Sequence, residues 1–524
     1  MTHNFMKMTV INTATLPEAS ALSTGVTSSE PQVPKSHSPV APAPDSTSTS
    51  TTPPAGDSRD RENRLPSYSS STSTFDEKAD IEKQGPIWEG FQDDELPDKT
   101  QHRWLRNVRF QMLSLYRRLF GIVFFTNLGI FIWYCVKGEN ASQVATVTIA
   151  NLFASILMRQ EYVINAFFTV ACLAPKSWPL WIRRILARVY SIGGIHSGAG
   201  VSGTVWLILF VGRATREVID GGKTSVPTLA IAYVVLALLV SMVTFAYPPF
   251  RLKYHDHFEA IHRFAGWTAV ALVWAQVVLL INDYRPADET LGHAVVHSAP
   301  FWLVVILTIS IILPWLRLRK VRVRAEVLSD HCVRLYFDYV NTHPGHFTRM
   351  SVRPLWEWHS FATIAVPGKK GYSAVVSRAG DWTKEQIGNP PEKIWIRGIP
   401  CYGVVRVTPL FRRVVMVATG SGIGPIAPVV FAQKTEIQLL WTAPAVRKTF
   451  GDKLVDSLLE ASPSAVIYDT RVHGRPDMVK LTYRMVREFN AEAVVIIANQ
   501  PITQKVVYGM MSRGIPAFGA IWDS

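Results

Sequence analysis

Cysteine is scarce: only Cys135, Cys172, Cys332 and Cys401 occur in 524 residues. They lack the short spacings that hold a metal and are too few for a disulfide framework, which favours a cytosolic setting for the soluble part. No apolar run follows Met1, so no cleaved signal peptide is expected. Acidic residues are in deficit, 40 against 54 basic ones, for a net charge of +14. The basic excess sits beside apolar runs, which assigns it to membrane flanks and not to a nucleic-acid surface. Large apolar residues are sparse over 1–98, where Ser, Thr, Pro and acidic residues dominate. Such a segment cannot bury enough surface to offset its chain entropy, and a disordered tail is expected there.

Elsewhere apolar residues are plentiful, 48% of the chain, with a mean hydropathy of +0.14. They cluster in six runs, near 119–136, 144–174, 189–212, 227–247, 259–282 and 300–316. Each approaches the ~20 residues that cross a bilayer as a helix. The second is overlong and contains Arg159 and Glu161, so part of it is expected outside the membrane. Lys and Arg number six, four, three and five in the flanks 99–118, 175–188, 249–263 and 317–324. The alternate loops hold one, three and one, which places both termini in the cytosol. The sequon at Asn140 then falls in an outer loop, where glycosylation would require it.

From about 318 the texture changes. Residues 321–410 read as a small β-barrel with Gly- and Pro-bearing turns. Residues 411–524 alternate apolar β-runs (414–418, 437–441, 493–498) with helical patterns, the signature of a doubly wound α/β domain. The first β-run leads directly into Gly420-Ser421-Gly422-Ile423-Gly424-Pro425. Glycines there let the backbone curve beneath a pyrophosphate, and the following helix N-terminus adds positive partial charge.

Three runs carry a resemblance. They are Glu357-Trp358-His359-Ser360-Phe361-Ala362-Thr363, Gly380-Asp381-Trp382-Thr383 and the Gly420–Pro425 turn, with Gly474-Arg475-Pro476-Asp477 as a weaker fourth. In this order, after six apolar runs, the chain resembles the ferric reductase and NADPH oxidase superfamily, closest to fungal TmpA-like integral membrane proteins. The resemblance implies a six-span α-helical bundle over 99–317, a ferredoxin-reductase-like β-barrel flavin domain over 318–410 and an α/β nucleotide-binding domain over 411–524. It implies FAD lined by His359, Phe361 and Thr363, with Gly380, Asp381, Trp382 and Thr383 against the pyrophosphate. NADPH (or NADH) would rest on Gly420, Gly422, Gly424 and Pro425, with Arg447 pairing a 2′-phosphate and Trp522 covering the flavin. Phe361 and Trp382 read equally as barrel core. Three positions depart from the pattern: Ala362 replaces a hydroxyl, Ser377 an arginine, and Asn499 a cysteine beside the nicotinamide.

Intramembrane ionisable residues are candidate functional groups because burying them is costly. His196 and His262 lie eight and nine residues beyond Arg188 and Lys253. At 1.5 Å per residue that is a common depth of ~12–14 Å. With the resemblance, the pair implies axial ligation of one b-type haem, the glycines around His196 admitting the macrocycle. The alternative is a helix-packing glycine face with a histidine bonded to a carbonyl. His293 and His297 read as solvated loop residues or an external metal site.

The expectation is a multi-pass flavohaem oxidoreductase in a lipid bilayer, passing electrons from a nicotinamide nucleotide through FAD and haem to an unknown acceptor, with no nucleic-acid partner. The alternatives are a non-catalytic membrane nucleotide sensor and a transmembrane metalloreductase.

Overall fold

The computed structural model describes residues 87–365 and 368–521. Apolar helices come first: α1 (Leu115–Lys137), α2 (Ala141–Leu157), α3 (Glu161–Ala171), α4 (Leu180–Leu186), α5 (Gly193–Ile219), α6 (Val226–Ala246), α7 (His255–Tyr284) and α8 (Ala299–Leu316). Five of them, α1, α5, α6, α7 and α8, are long and apolar enough to cross a membrane. The expected second span is not one helix. It breaks at 158–160, and α3 turns away from α2 by 67°. The break falls where Arg159 and Glu161 interrupt the apolar run, and Gln160 accepts bonds from the Tyr162 and Val163 amides as the N-cap of α3.

The bundle is tied internally by polar groups. Asn127 Oδ1 accepts from Asn151 Nδ2 and Trp206 Nε1, each at 2.8 Å, joining α1, α2 and α5. Asn140 caps α2 reciprocally with Gln143, so the sequon coincides with a helix start.

Next come two antiparallel sheets. Their strands are β1 (Arg319–Arg322), β2 (Arg324–Ser329), β3 (Cys332–Phe337), β4 (His346–Ser351), β5 (His359–Ala362), β6 (Tyr372–Ser377) and β7 (Lys393–Tyr402), with α9 (Asp381–Gly388) between the last two. The orders are β1-β7-β4-β5 and β2-β3-β6. Among the described residues a single isolated bridge, Ile364 to Ser373, links them. The expected barrel is therefore a pair of sheets over a shared core that includes Val333, Leu335, Phe337, Met350 and Ile396.

The last part contains β8 (Arg413–Thr419), α10 (Ile423–Ala432), β9 (Glu436–Ala443), α11 (Val446–Phe450), α12 (Asp452–Ala461), β10 (Val466–Asp469), α13 (Met478–Glu488), β11 (Ala493–Ile497), α14 (Gln500–Met511) and β12 (Ala517–Gly519). Its sheet is wholly parallel, in the order β10-β9-β8-β11-β12. β8 shows why its run is continuously apolar. Val414, Met416 and Ala418 enter the core under α10 and α12, and Val415 and Val417 enter the core under α13 and α14.

The segment expected to be a disordered tail differs over 87–98. Phe91 is buried against Tyr468, and backbone carbonyls of Glu89, Gln92 and Pro97 accept from Arg484, Lys480 and Arg513. One buried aromatic and three basic partners anchor a stretch whose composition predicted no order. Residues 1–86 lie outside the described residues.

Candidate functional site

In the parallel sheet β8 has β9 on one side and β11 on the other. The chain runs outward through β9 and β10, then crosses back to β11. Such a reversal opens a crevice at the carboxyl ends of the two central strands. The glycine turn lies in it. Gly420 takes a left-handed φ of 53°, and its carbonyl accepts a 2.9 Å bond from the buried Trp441 indole, which fixes the turn. Gly422 lies directly beside β11, and a Cβ there would collide with the Ile497 carbonyl oxygen. Gly424 differs, because a Cβ on it would meet open space, as would one on Gly420.

The glycines thus divide the work. One supplies the left-handed turn, one the close strand contact, and Gly424 leaves the mouth of α10 clear. Pro425 lies in the first turn of α10, where a missing N–H is tolerated. The remaining first-turn amides of α10 face no intrahelical acceptor. A dinucleotide pyrophosphate fits this arrangement: open space, backbone donors and a helix N-terminus.

Across the crevice stands Asn499. It is the N-cap of α14, its Oδ1 accepting from the Ile502 amide at 3.1 Å. The departure at this position thus has a structural explanation, since asparagine caps a helix where cysteine would not. Asp477, of the weaker fourth motif, likewise caps α13.

The second expected wall gathers only in part. His359 and Phe361 share a face of β5, and the Trp382 ring stacks on both, at 4.1 and 5.6 Å between centroids. Trp382 Nε1 is buried with no partner, a donor left for a ligand or water. Thr363 does not join them. It is fully buried, and its amide and hydroxyl both donate to the His346 carbonyl, at 3.0 and 3.2 Å. Its expected role as a flavin contact is corrected to a core residue. Thr383 turns inward at the start of α9, where its hydroxyl accepts from the Ala379 and Gly380 amides at 2.8 and 3.0 Å. Those two amides are therefore committed; Asp381 and Trp382 keep the open first-turn amides of α9. Aromatic stacking faces and an orphan donor suit a flat heteroaromatic ring such as flavin.

Arg447, expected to meet a 2′-phosphate, is occupied. Its guanidinium holds Asp452 at 2.9 Å and Asp456 at 2.8 Å. Trp522 lies outside the described residues.

His196 and His262 do approach each other, with ring centroids 6.3 Å apart. The surrounding glycines, however, do not clear space for a macrocycle. A Cβ on Gly194 would collide with the Tyr116 carbonyl, and one on Gly198 would stand 2.9 Å from the Phe120 carbonyl. The glycine face is filled by the backbone of α1 and its approach. His196 Nδ1 donates to the Ser155 carbonyl at 2.8 Å. This is the helix-packing arrangement with a carbonyl-bonded histidine. His293 and His297 bond Glu289 and the His293 carbonyl respectively. Among the described residues no group of three His, Cys, Asp or Glu side chains is placed to hold a metal ion.

Sequence reasoning missed the residues that fix the sheet-bearing part to the helices. Glu161 pairs with Arg349 and accepts from the Ile399 amide at 2.8 Å. Asn165 bonds Pro400 and Tyr402, each at 2.9 Å. Arg397 lies between Trp315 of α8 and Trp358, 4.7 and 4.6 Å from their rings. A carboxylate in an apolar run was the available signal, since a buried charge requires a partner.

Residues 404–524 match the family model described as "Adenylate-forming reductase 03009, C-terminal domain". Adenylate-forming reductase 03009 of Coprinopsis cinerea is 62% identical over 447 residues, covering 85% of this chain and 44% of the relative. Adenylate-forming reductase 06235 of the same organism is 59% identical over 446 residues, with the same coverages. The chain thus spans less than half the length of these relatives. Among solved structures, a ferredoxin NADP+ reductase from Neisseria gonorrhoeae with bound FAD and NADP overlaps 39% of this chain and 98% of its own, at 12% identity and a TM-score of 0.32. These relatives overturn the expected membership of the ferric reductase and NADPH oxidase superfamily. They equally overturn the flavohaem relay, for they are named as reductases of a different kind.

Proposed function

We propose that the chain is the nicotinamide-nucleotide-dependent reductase part of an adenylate-forming reductase, with a flavin beside the nucleotide. The observation that carries this reading is the crevice between β8 and β11: a left-handed glycine, open space over Gly420 and Gly424, and a helix N-terminus converge at the reversal point of a parallel sheet. The relatives' name couples formation of an adenylate with a reduction, and this chain corresponds to their reductase side. The acceptor in this reading is a substrate activated elsewhere on such a protein.

The chain's own groups then act as follows. The Gly420 turn and the α10 amides bind the pyrophosphate. Trp441 holds the turn rigid from beneath. The Trp382, His359 and Phe361 rings form the stacking wall for the isoalloxazine, and the α9 first turn faces its phosphates. When bound between these groups, the nicotinamide would supply hydride chemistry and the flavin would supply the conversion to single-electron transfer. No side chain of the crevice is assigned a proton-transfer role.

We also infer a membrane anchor. Five helices, or six if α2 and α3 count as one broken span, meet the length and apolarity requirement. The Lys and Arg distribution favours both termini on the cytosolic side.

An anaerobic absorption spectrum of detergent-purified full chain loaded with FAD tests the reading. The expected result is a flavin band that bleaches on adding NADPH or NADH. A protein that binds neither flavin nor nucleotide overturns it.

A further inference from the structure

At the opposite end of the parallel sheet from the glycine turn lies an open groove of about 500 Å³. Its walls come from separate parts of the chain: Lys176 from the loop between α3 and α4, Arg412 just before β8, and Gln433, Lys434 and Thr435 between α10 and β9. β8 and β9 begin here and end at the crevice, about 20 Å away at ~3.3 Å per residue. The groove therefore cannot be the dinucleotide site.

Three features mark it as built for a ligand. Three cations, Lys176, Arg412 and Lys434, converge on it against one lining carboxylate, Glu436. Glu492 lies nearby but is already held by Arg183 and Arg412. The walls are stitched together, with Lys176 donating to the Lys434 carbonyl at 3.1 Å and Gln433 Nε2 to the Ala461 carbonyl at 3.1 Å. Thr435 lines the groove and is only 8% exposed, and its hydroxyl oxygen is buried behind that lining with no hydrogen-bond partner. A buried hydroxyl without a partner is costly, and a turn of the Thr435 side chain about χ1 toward an oxyanion in the groove would satisfy it.

What adjoins the groove identifies the ligand. Lys176 belongs to a segment whose outer side is apolar and exposed: Val170, Leu173, Trp178, Trp181 and Ile185 are 71%, 73%, 46%, 60% and 56% exposed. The inner side of the same segment is fixed to the soluble part by Glu161, Asn165 and Arg183. An apolar, tryptophan-bearing plate beside a cationic groove matches the boundary between acyl chains and headgroups. We propose that the groove binds the phosphate headgroup of an acidic membrane lipid, with the acyl chains lying along Leu173, Trp178 and Trp181. The inference rests on the membrane anchor proposed above.

The test uses full chain in nanodiscs of phosphatidylcholine with or without phosphatidic acid, reading lipid retention by native mass spectrometry and amide exchange over 433–437. Selective retention of phosphatidic acid and slowed exchange there are expected. Lys434→Gln and Lys176→Gln should each weaken retention roughly fivefold. Thr435→Val should weaken it with no change in nucleotide binding, which reports an intact fold. Equal retention of both lipids overturns the proposal. Glycerol 3-phosphate binding in detergent as tightly as the lipid also overturns it, in favour of a soluble phosphate ester. Release of the protein from membranes by alkaline carbonate would instead refute the membrane anchor, a separate outcome.

Discussion

Arg183 of α4 and Glu492, just before β11, form a two-pronged ion pair at 2.7 and 3.0 Å, 309 residues apart in sequence. Arg183 also donates to the Leu410 carbonyl at 2.8 Å and is 3% exposed. The pair binds the helical segment to the start of the central strands. Breaking one side leaves a buried charge unpaired, at a cost of about 3–5 kcal/mol. Glu492→Ala should therefore lower the melting temperature and expose the 403–413 linker to protease. Arg183→Met with Glu492→Leu should recover much of that loss. A single variant that melts like the parent would refute the assignment.

The same pair carries a pH dependence. Burial works against the Glu492 charge, but the Arg183 and Arg412 bonds outweigh it and hold the carboxyl below its ordinary value of 4.5. A carboxyl lowered by folding stabilises the folded form above its unfolded value. The contribution is lost as pH falls below about 4.5 toward the folded value.

His346 acts in the same direction over a higher range. It is 8% exposed, and burial, with His343 and Arg406 nearby, pushes its pKa down to about 3 from 6.5. A histidine lowered by folding is neutral inside, while the unfolded chain takes up a proton below 6.5. Stability should fall by up to about 1.4 kcal/mol per pH unit between roughly 6 and 3. His346→Phe should flatten this slope, measured by urea unfolding at successive pH values. An unchanged slope would exclude His346 as its origin.

The glycines of the crevice should separate under mutation. Gly422→Ala forces a methyl into the Ile497 carbonyl, so the fold itself should suffer. Gly424→Ala enters open space and should leave melting nearly unchanged while weakening NAD(P)H binding tenfold or more, about 1.4 kcal/mol. Calorimetric melting together with nucleotide titration distinguishes them. If both variants behave alike, the division of roles is wrong.

Asn499→Ala removes the α14 cap and should cost about 1 kcal/mol in chemical denaturation. Asn499→Asp should retain most of that stability.

These sites show what the residues disclosed and what they withheld. The glycine turn was legible as a shape because its parts are local: a strand, a left-handed turn and a helix start are adjacent in sequence. The parallel sheet was legible for a related reason, since β8 is apolar at successive positions and so buried on both faces. The haem reading failed because equal depth on two helices says nothing of what fills the glycine face. Tyr116 and Phe120 fill it, and they lie about 80 positions from His196. Thr363 failed because alternation along β5 would set it beside His359 and Phe361, but the strand ends at Ala362 and the hydroxyl turns to the His346 carbonyl. Arg447 failed because Asp452 and Asp456 follow it on the next helix and reach it first. The family reading failed because shared short motifs outlived the pattern they were taken to represent. At 62% identity over 447 residues, similarity across most of this chain points to a different group of reductases.

The ordered stretch ahead of the helices has a mechanical consequence. Thr100 bonds the Ser512 carbonyl through both its amide and its hydroxyl, and Tyr508 reaches Asn107 at 2.8 Å. The last domain is thus fastened by the chain that enters β8, by the Arg183–Glu492 pair at the start of the central strands and by this clasp at the foot of α1. With the Arg183–Glu492 pair as a third point of attachment, the domain is not free to swing about the axis through the other two. Exchange of ligand at the crevice then falls to small loop displacements near Gly420 and Asn499, with the domain itself held in place.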